Sequence, residues 1–233
     1  MAEKIAAYLL SLRGKDGLVR GGEGTYLPGG GFKPGRVEWA AAEHNIDTCF
    51  FLQALAKATG KSSYAREEQK IGQALEQVLW LPKGDRLRPG TGEDRPALDV
   101  VSWGGLYFLA KNDAKKVRAS LDGLKAFALP GGGYSYEPGG TLWLEGSWGA
   151  FLLRLRCGEE VGREIRFLAR RQEELGGGTV SDAAWGFLVL GGRDFLLSKK
   201  FFEGVFLKIA AERTQAGLST RKNFSCSKII LAS

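Results

Sequence analysis

The chain has 233 residues, 44% hydrophobic and 25% charged, with 33 Lys and Arg against 26 Asp and Glu for a formal net charge of +7. Such a length buries a sizeable core, most economically as one domain, and the balance is that of an ordinary soluble globule. The basic residues are scattered without an aromatic-interleaved run, which argues against nucleic acid as a partner, and no apolar stretch reaches membrane-spanning length.

The 34 glycines are about twice average usage and cluster between apolar segments, a pattern of many short elements joined by tight loops. Met1-Ala2-Glu3-Lys4-Ile5 carries no apolar signal-peptide region, so a cytoplasmic location is expected. Cys49, Cys157 and Cys226 lie far apart without metal-ligand spacing and read as reduced thiols.

Taken in order, Ile5, Tyr8, Leu9 and Leu12 fall at helical spacing and predict an amphipathic helix over residues 3–13. Nine glycines and two prolines between Gly14 and Gly35 predict a long irregular loop. A buried helix follows, closed by Gly60; Ser62 or Ser63 is then expected to cap a helix from Tyr64 to Leu79 with a solvated face of Arg66, Glu67, Glu68 and Lys70. A polar loop, Lys83 to Arg95, leads to Pro96 in the first turn of a third apolar helix that ends near Lys111. Asp113 to Phe127 is amphipathic, Leu129 to Gly140 is glycine-rich, Leu142 to Cys157 is apolar, and Gly162 to Leu175 is charged on one face. Past Gly176-Gly177-Gly178, Val180 to Leu190 is apolar and Phe195 to Glu212 amphipathic.

An order of parts repeats: solvated helix, glycine-rich loop, polar residue, buried helix. The loops end at Asn45, Asp99, Glu145 and Asp182, at irregular intervals that suit helical hairpins in a ring better than a rigid solenoid. The expected fold is all-α, an (α/α) toroid of four or five antiparallel helical hairpins over residues 1–212. Residues 213–233, without period or acid in their first part, read as a poorly ordered tail.

Two stretches carry a resemblance. Glu43-His44-Asn45-Ile46-Asp47 opens an apolar helix, and Trp143-Leu144-Glu145-Gly146-Ser147-Trp148 opens another. With these the chain resembles, over residues 3–195, the six-hairpin (α/α) toroid glycosidases and a bacterial glycoside-hydrolase-like set. The resemblance implies a cleft where loops enter the inner helices, with carboxylates acting on a sugar chain. The chain departs from that pattern in offering four or five hairpins where six close the ring.

Glycoside hydrolysis needs two carboxyl groups, one protonated and one ionised. In a toroid the first turns of inner helices share a mouth, so Asp47, Asp99, Glu145 and Asp182 become candidates. The helix dipole alone also favours acids there, and capping accounts well for Asp182 after Ser181. Glu145, between Trp143 and Trp148, and Asp99, between Ala97-Leu98 and Val100-Val101, sit in apolar sequence that raises a carboxyl pKa, and they are the expected catalytic pair.

Asp99 with Trp103, Glu145 with Trp148, and Asp182 with Trp185 each share a helix face. An acid beside an indole suits a sugar, which offers a polar rim and an apolar C–H face. Sugar contact is expected of Trp103 and Trp148, and core filling of Trp185. His44, the single histidine, is expected to bind substrate or hold structure rather than a metal. Asn45 and Asp47 would bind hydroxyls or water, and Asp47 could orient the imidazole. Glu43, Trp143 and Tyr136 complete the binding candidates.

No cofactor is expected; the partner is a carbohydrate, and oligomeric state is open. Two other classes compete: a non-catalytic carbohydrate-binding or scaffold toroid, and a terpenoid-cyclase-like toroid. The latter would want an aspartate-rich cluster or zinc ligands, and neither spacing is present.

Overall fold

A computed structural model describes residues 1–27 and 30–174. The predicted helices Val180–Leu190 and Phe195–Glu212, the tail, Asp182 and Trp185 lie outside the described residues. The chain divides into two compact units, one built on residues 1–127 with 137–139, the other on 128–136 and the residues from 140 onward.

The first unit opens with helix α1 (Ala2–Ser11). The glycine-rich segment that follows was expected to be irregular, yet strands β1 (Gly22–Tyr26) and β2 (Phe32–Val37) pair antiparallel within it, with a bulge between Gly22 and Gly24. The glycines serve this ribbon. A Cβ on Gly24 would collide with the Phe32 ring, so the missing side chain is what lets the aromatic lie across the neighbouring strand.

Helix α2 (Ala42–Thr59) ends at Gly60, whose φ of 69° is the left-handed cap anticipated from sequence. Two residues later α3 (Ser62–Ala74) begins and packs back along α2. Its N-cap is Lys61 rather than a serine; Ser62 is already helical, and its hydroxyl accepts from Arg66 Nη1 at 2.9 Å. The helix runs on to Leu79 through a widened final turn, Leu75–Leu79. A second ribbon, β3 (Trp80–Leu81) with β4 (Arg86–Leu87), precedes α4 (Leu98–Ala110). Pro96 stands just before the Ala97 N-cap, not in the first turn. Helix α5 (Ala114–Gly123) folds back on α4 after three residues, its start capped by Asp113, which accepts from Lys116 N–H.

The all-α expectation is therefore corrected: the described residues are mostly helical, with two short antiparallel ribbons. The core of this unit is Ile46, Leu52, Ile71, Leu75, Leu98, Tyr107, Phe108 and Leu124. Gly72 leaves room for the Tyr107 hydroxyl, which would stand 2.5 Å from a Cβ there. Glu68, expected on a wet face, is instead buried and pairs with Lys111 at 2.5 Å. A buried carboxylate needs such a partner. Cys49, free and buried, has its thiol pushed up to about 12 by burial first and by the charge of Glu68 second.

The second unit contains α6 (Leu144–Arg156) and α7 (Gly162–Glu174), a hairpin closed over Phe151, Leu153 and Leu168.

One device starts a buried helix in both units. In the first, Asn45 is fully buried; its amide oxygen accepts from Val19 N–H at 2.8 Å, and its amide nitrogen donates to Val19 O at 3.0 Å and Ala41 O at 2.7 Å. In the second, buried Ser147 accepts from Tyr134 N–H at 2.8 Å and donates to Trp143 O at 2.7 Å, with Tyr134 O 3.3 Å away. Val19 and Tyr134 each sit in a single antiparallel bridge, to Arg13 and Ala128 respectively. A side chain in the first turns of the helix thus closes on one loop residue: Asn45 satisfies both backbone groups of Val19, whereas Ser147 takes the Tyr134 N–H and Tyr134 O accepts from Trp143 N–H at 2.8 Å.

Truncation of Asn45 leaves the Val19 N–H and C=O buried and unpaired, and truncation of Ser147 leaves the Tyr134 N–H so. Asn45→Ala is expected to destabilise the protein by about 2–4 kcal/mol and Ser147→Ala by about 1–3 kcal/mol. Urea midpoints at unchanged slope measure this, and shifts below about 0.5 kcal/mol would contradict the clamp.

Candidate functional site

The N-terminus of α2 starts from Ala41 in an extended conformation, with no side chain capping it. The phase of the helix then sorts its first residues. Asn45, Ile46 and Cys49 turn inward, whereas His44 and Asp47, three apart, are exposed on one face. Glu43 is half-buried beside them.

Helix α4 packs against α2 and brings Trp103 to this face, where its indole Nε1 donates to Asp47 Oδ1 at 3.1 Å. One helical turn before Trp103, on the same side of α4, stands Asp99, half-buried, with Oδ1 accepting from Val100 N–H at 2.8 Å. The carboxyls of Asp47 and Asp99 therefore occupy neighbouring turns of two packed helices. His44 lies near enough to favour the ionised form of each.

Burial outweighs that help. Asp99 is held above the ordinary carboxylate range mainly by loss of hydration, against its backbone hydrogen bonds and His44. Asp47 is raised in the same way, against the Trp103 hydrogen bond and then His44. Asp47 keeps accessible area, so the protein flanking it, and not sealing, is what thins its hydration.

A cleft of about 400 Å³ opens at His44 and Asp47, lined also by Tyr8, Leu12, Arg20, Gly21 and Phe51. Arg20 pairs with Asp16 at 2.9 Å, and its Nε is buried 3.8 Å from Glu38 without a hydrogen bond. Arg20 sits in the glycine-rich segment and is not a candidate from sequence; only the Asn45–Val19 contact, seen in three dimensions, brings the residue next to it against the head of α2. A second cavity of about 200 Å³, among Leu87, Pro96, Val100, Gly104, Phe108 and Phe127, is mainly apolar and holds none of the candidate acids.

Asn45 is withdrawn from the binding set. Its amide groups are engaged by Val19 and Ala41 and sealed from solvent, so it cannot reach a hydroxyl or a water in the cleft.

In the second unit, Glu145 occupies the first turn of α6 and is exposed, so the flanking indoles do not enclose it as its apolar sequence context suggested. Trp143 is the N-cap residue; its ring lies against Gly146 and edge-on to Tyr136, with centroids 5.1 Å apart. Trp148 is half-buried and edge-on to Phe151 at 6.4 Å. Tyr136 is exposed.

Among the described residues no group of three His, Cys, Asp or Glu is placed to hold a metal, and no helix is long and apolar enough to cross a membrane.

No family model matches the chain, and no curated protein is significantly similar to it. Among solved structures it is similar to an alpha-amylase from Clostridium perfringens, with a TM-score of 0.59 and 13% identity over 87% of this chain and 66% of that one. It is also similar to a polysaccharide lyase, with a TM-score of 0.45 and 11% identity over 78% of this chain and 63% of that one. The first likeness shows a common fold. The chain spans just under two thirds of either protein's length.

A carboxyl raised in the folded state contributes stability only while protonated. That contribution is complete below the ordinary Asp value of about 4 and is lost as pH rises through the raised folded value. Asp99→Asn keeps an acceptor for Val100 N–H and removes the buried charge. The variant should therefore melt above the wild type at pH 7, with the gap closing as pH falls through the raised value and closed below about 4. A Tm below wild type at pH 7 would contradict the assignment of burial as the dominant cause.

Proposed function

We propose that this protein is glycoside-hydrolase-like, acting on an oligo- or polysaccharide with carboxyl groups at the α2–α4 seam, in a fold of helical hairpins of the (α/α) toroid type. The observation that carries this reading is the Trp103–Asp47 hydrogen bond. It ties one carboxyl to the helical turn that follows the other, beside His44 and at the edge of an open cleft.

The two acids divide the work by environment. Asp99, the more enclosed, is suited to hold a proton and give it to the glycosidic oxygen. Asp47, accessible and steadied by an indole N–H, is suited to remain ionised and to face water or the sugar ring. His44 offers a ring nitrogen to hydroxyls, and the exposed edge of Trp103 an apolar surface. The fold shared with the Clostridium perfringens alpha-amylase supports a carbohydrate as the substrate class. Glu145 remains a candidate carboxyl of the second unit, with Trp143, Trp148 and Tyr136 as its aromatic neighbours in sequence or space; Asp182 and Trp185 complete the candidate set.

The test is release of reducing ends from starch and from mixed plant and bacterial polysaccharides, with ultraviolet detection of unsaturated ends for a lyase outcome. Asp99→Asn and Asp47→Asn are each expected to lower kcat by about 10²–10⁴-fold, and Glu145→Gln reads the second unit separately. Wild-type activity should fall on the alkaline side as Asp99 loses its proton. Full turnover in both aspartate variants would overturn the assignment. Binding without turnover by the wild type would instead favour a non-catalytic carbohydrate-binding protein.

A further inference from the structure

Trp39 precedes the α2 motif and was not a candidate from sequence. Its side chain is 42% exposed, unusual for the largest apolar residue beside an otherwise well-filled core. The ring lies directly on Gly90: a Cβ at that position would stand 2.5 Å from both Cε2 and Nε1 of the indole. Glycine is therefore required under the ring, and the ring's other side accounts for the exposure.

The backbone around this stack is pinned on both sides. Gly21 N–H donates to Trp39 O at 2.9 Å, and Ala42 N–H donates to Pro89 O at 2.8 Å. Ala40 N–H donates to Thr91 Oγ1 at 3.0 Å, and Thr91 N–H returns to Ala40 O at 3.0 Å. The main chain that carries the indole is thus fixed against the segment that carries Gly90, so little backbone freedom remains to be lost on binding. Its neighbour on the site side is His44, with ring centroids 6.3 Å apart and planes at 83°. That histidine is the one whose charge bears on Asp47 and Asp99.

We infer that Trp39 is a stacking platform for a pyranose ring, receiving the sugar's C–H face while the hydroxyl rim turns toward His44. The inference rests on the carbohydrate reading above and adds the residue that would select a ring with an unbroken apolar face. Covering that face with indole removes apolar surface from water on both sides, and Gly90 supplies the room that keeps the indole presented. A tryptophan placed only for packing would have its exposed side turned inward.

The test uses maltoheptaose, cellohexaose and tetragalacturonate as probes, with affinity by calorimetry and sugar C–H chemical shifts by NMR. Trp39→Ala is compared with Trp39→Phe, which keeps a smaller platform, and with Gly90→Ala, which keeps the indole and displaces it. The wild type is expected to bind at least one probe and to move its C–H protons upfield. Trp39→Ala should weaken binding on the order of tenfold, Gly90→Ala should weaken it as well, and Trp39→Phe should retain most of it. Should Trp39→Ala fail to fold, the other two variants decide the matter. A wild type that binds, with affinity and C–H shifts unmoved in the variants, would overturn the platform and leave the carbohydrate reading standing. A wild type that binds none of the three probes removes both.

Discussion

The arrangement depends on a polar side chain sealed inside the start of a helix and joined to a single loop residue. Asn45 does this for Val19, and Ser147 does it for Tyr134. The cost of leaving a buried N–H or C=O unpaired makes the contact decisive, because no water is available as a substitute. Once Asn45 faces inward, the helical period forces His44 and Asp47 outward. The glycine loops can then vary in length without moving the chemistry, since each is fixed to its helix at one residue. Gly133, beside Tyr134, has a φ of 73° and would crowd Leu142 and Ser147 with any side chain, so the second loop needs glycine where the clamp closes.

On that fixed helix face three effects compete, and burial is the largest. Burial pushes Asp99 and Asp47 toward the protonated form; the imidazole of His44 pulls both the other way; the Trp103 N–H favours the charged form of Asp47 alone. The outcome is a pair of unequal acids on adjacent helical turns. Such inequality is what proton donation to a leaving group requires of one member and withholds from the other. It is also a stability cost, since among the described residues neither acid has a salt-bridge partner like that which Lys111 gives Glu68. Arg20, on the same cleft, is already balanced by Asp16 and stands near Glu38, while His44 and Asp47 line the cleft beside it.

Much of this was legible in the sequence where period and caps dominate. Helical hairpins followed from the apolar and amphipathic alternation, Gly60 from its place after Thr59, and the shared face of Asp99 and Trp103 from their spacing. The ribbons were not legible, because a glycine-rich run reads as loop unless one knows that Phe32 lies across Gly24. Asn45 was misjudged for a related reason. A polar residue before an apolar helix can face solvent or close a buried loop, and only the position of Val19 decides between them. Glu145 shows the converse, since apolar neighbours in sequence do not enclose a side chain that the helix turns outward. Glu68 was hidden because its partner, Lys111, lies on another helix.

The central claim is that Asp47 and Asp99 act together on a sugar. The most direct measurement is carboxyl-carbon NMR titration of aspartate-labelled protein, with and without an oligosaccharide that the protein binds. The account predicts that both resonances titrate above the ordinary aspartate range and that both respond when the sugar is added. Two carboxyls that titrate as ordinary surface acids, and that no bound sugar perturbs, would contradict it.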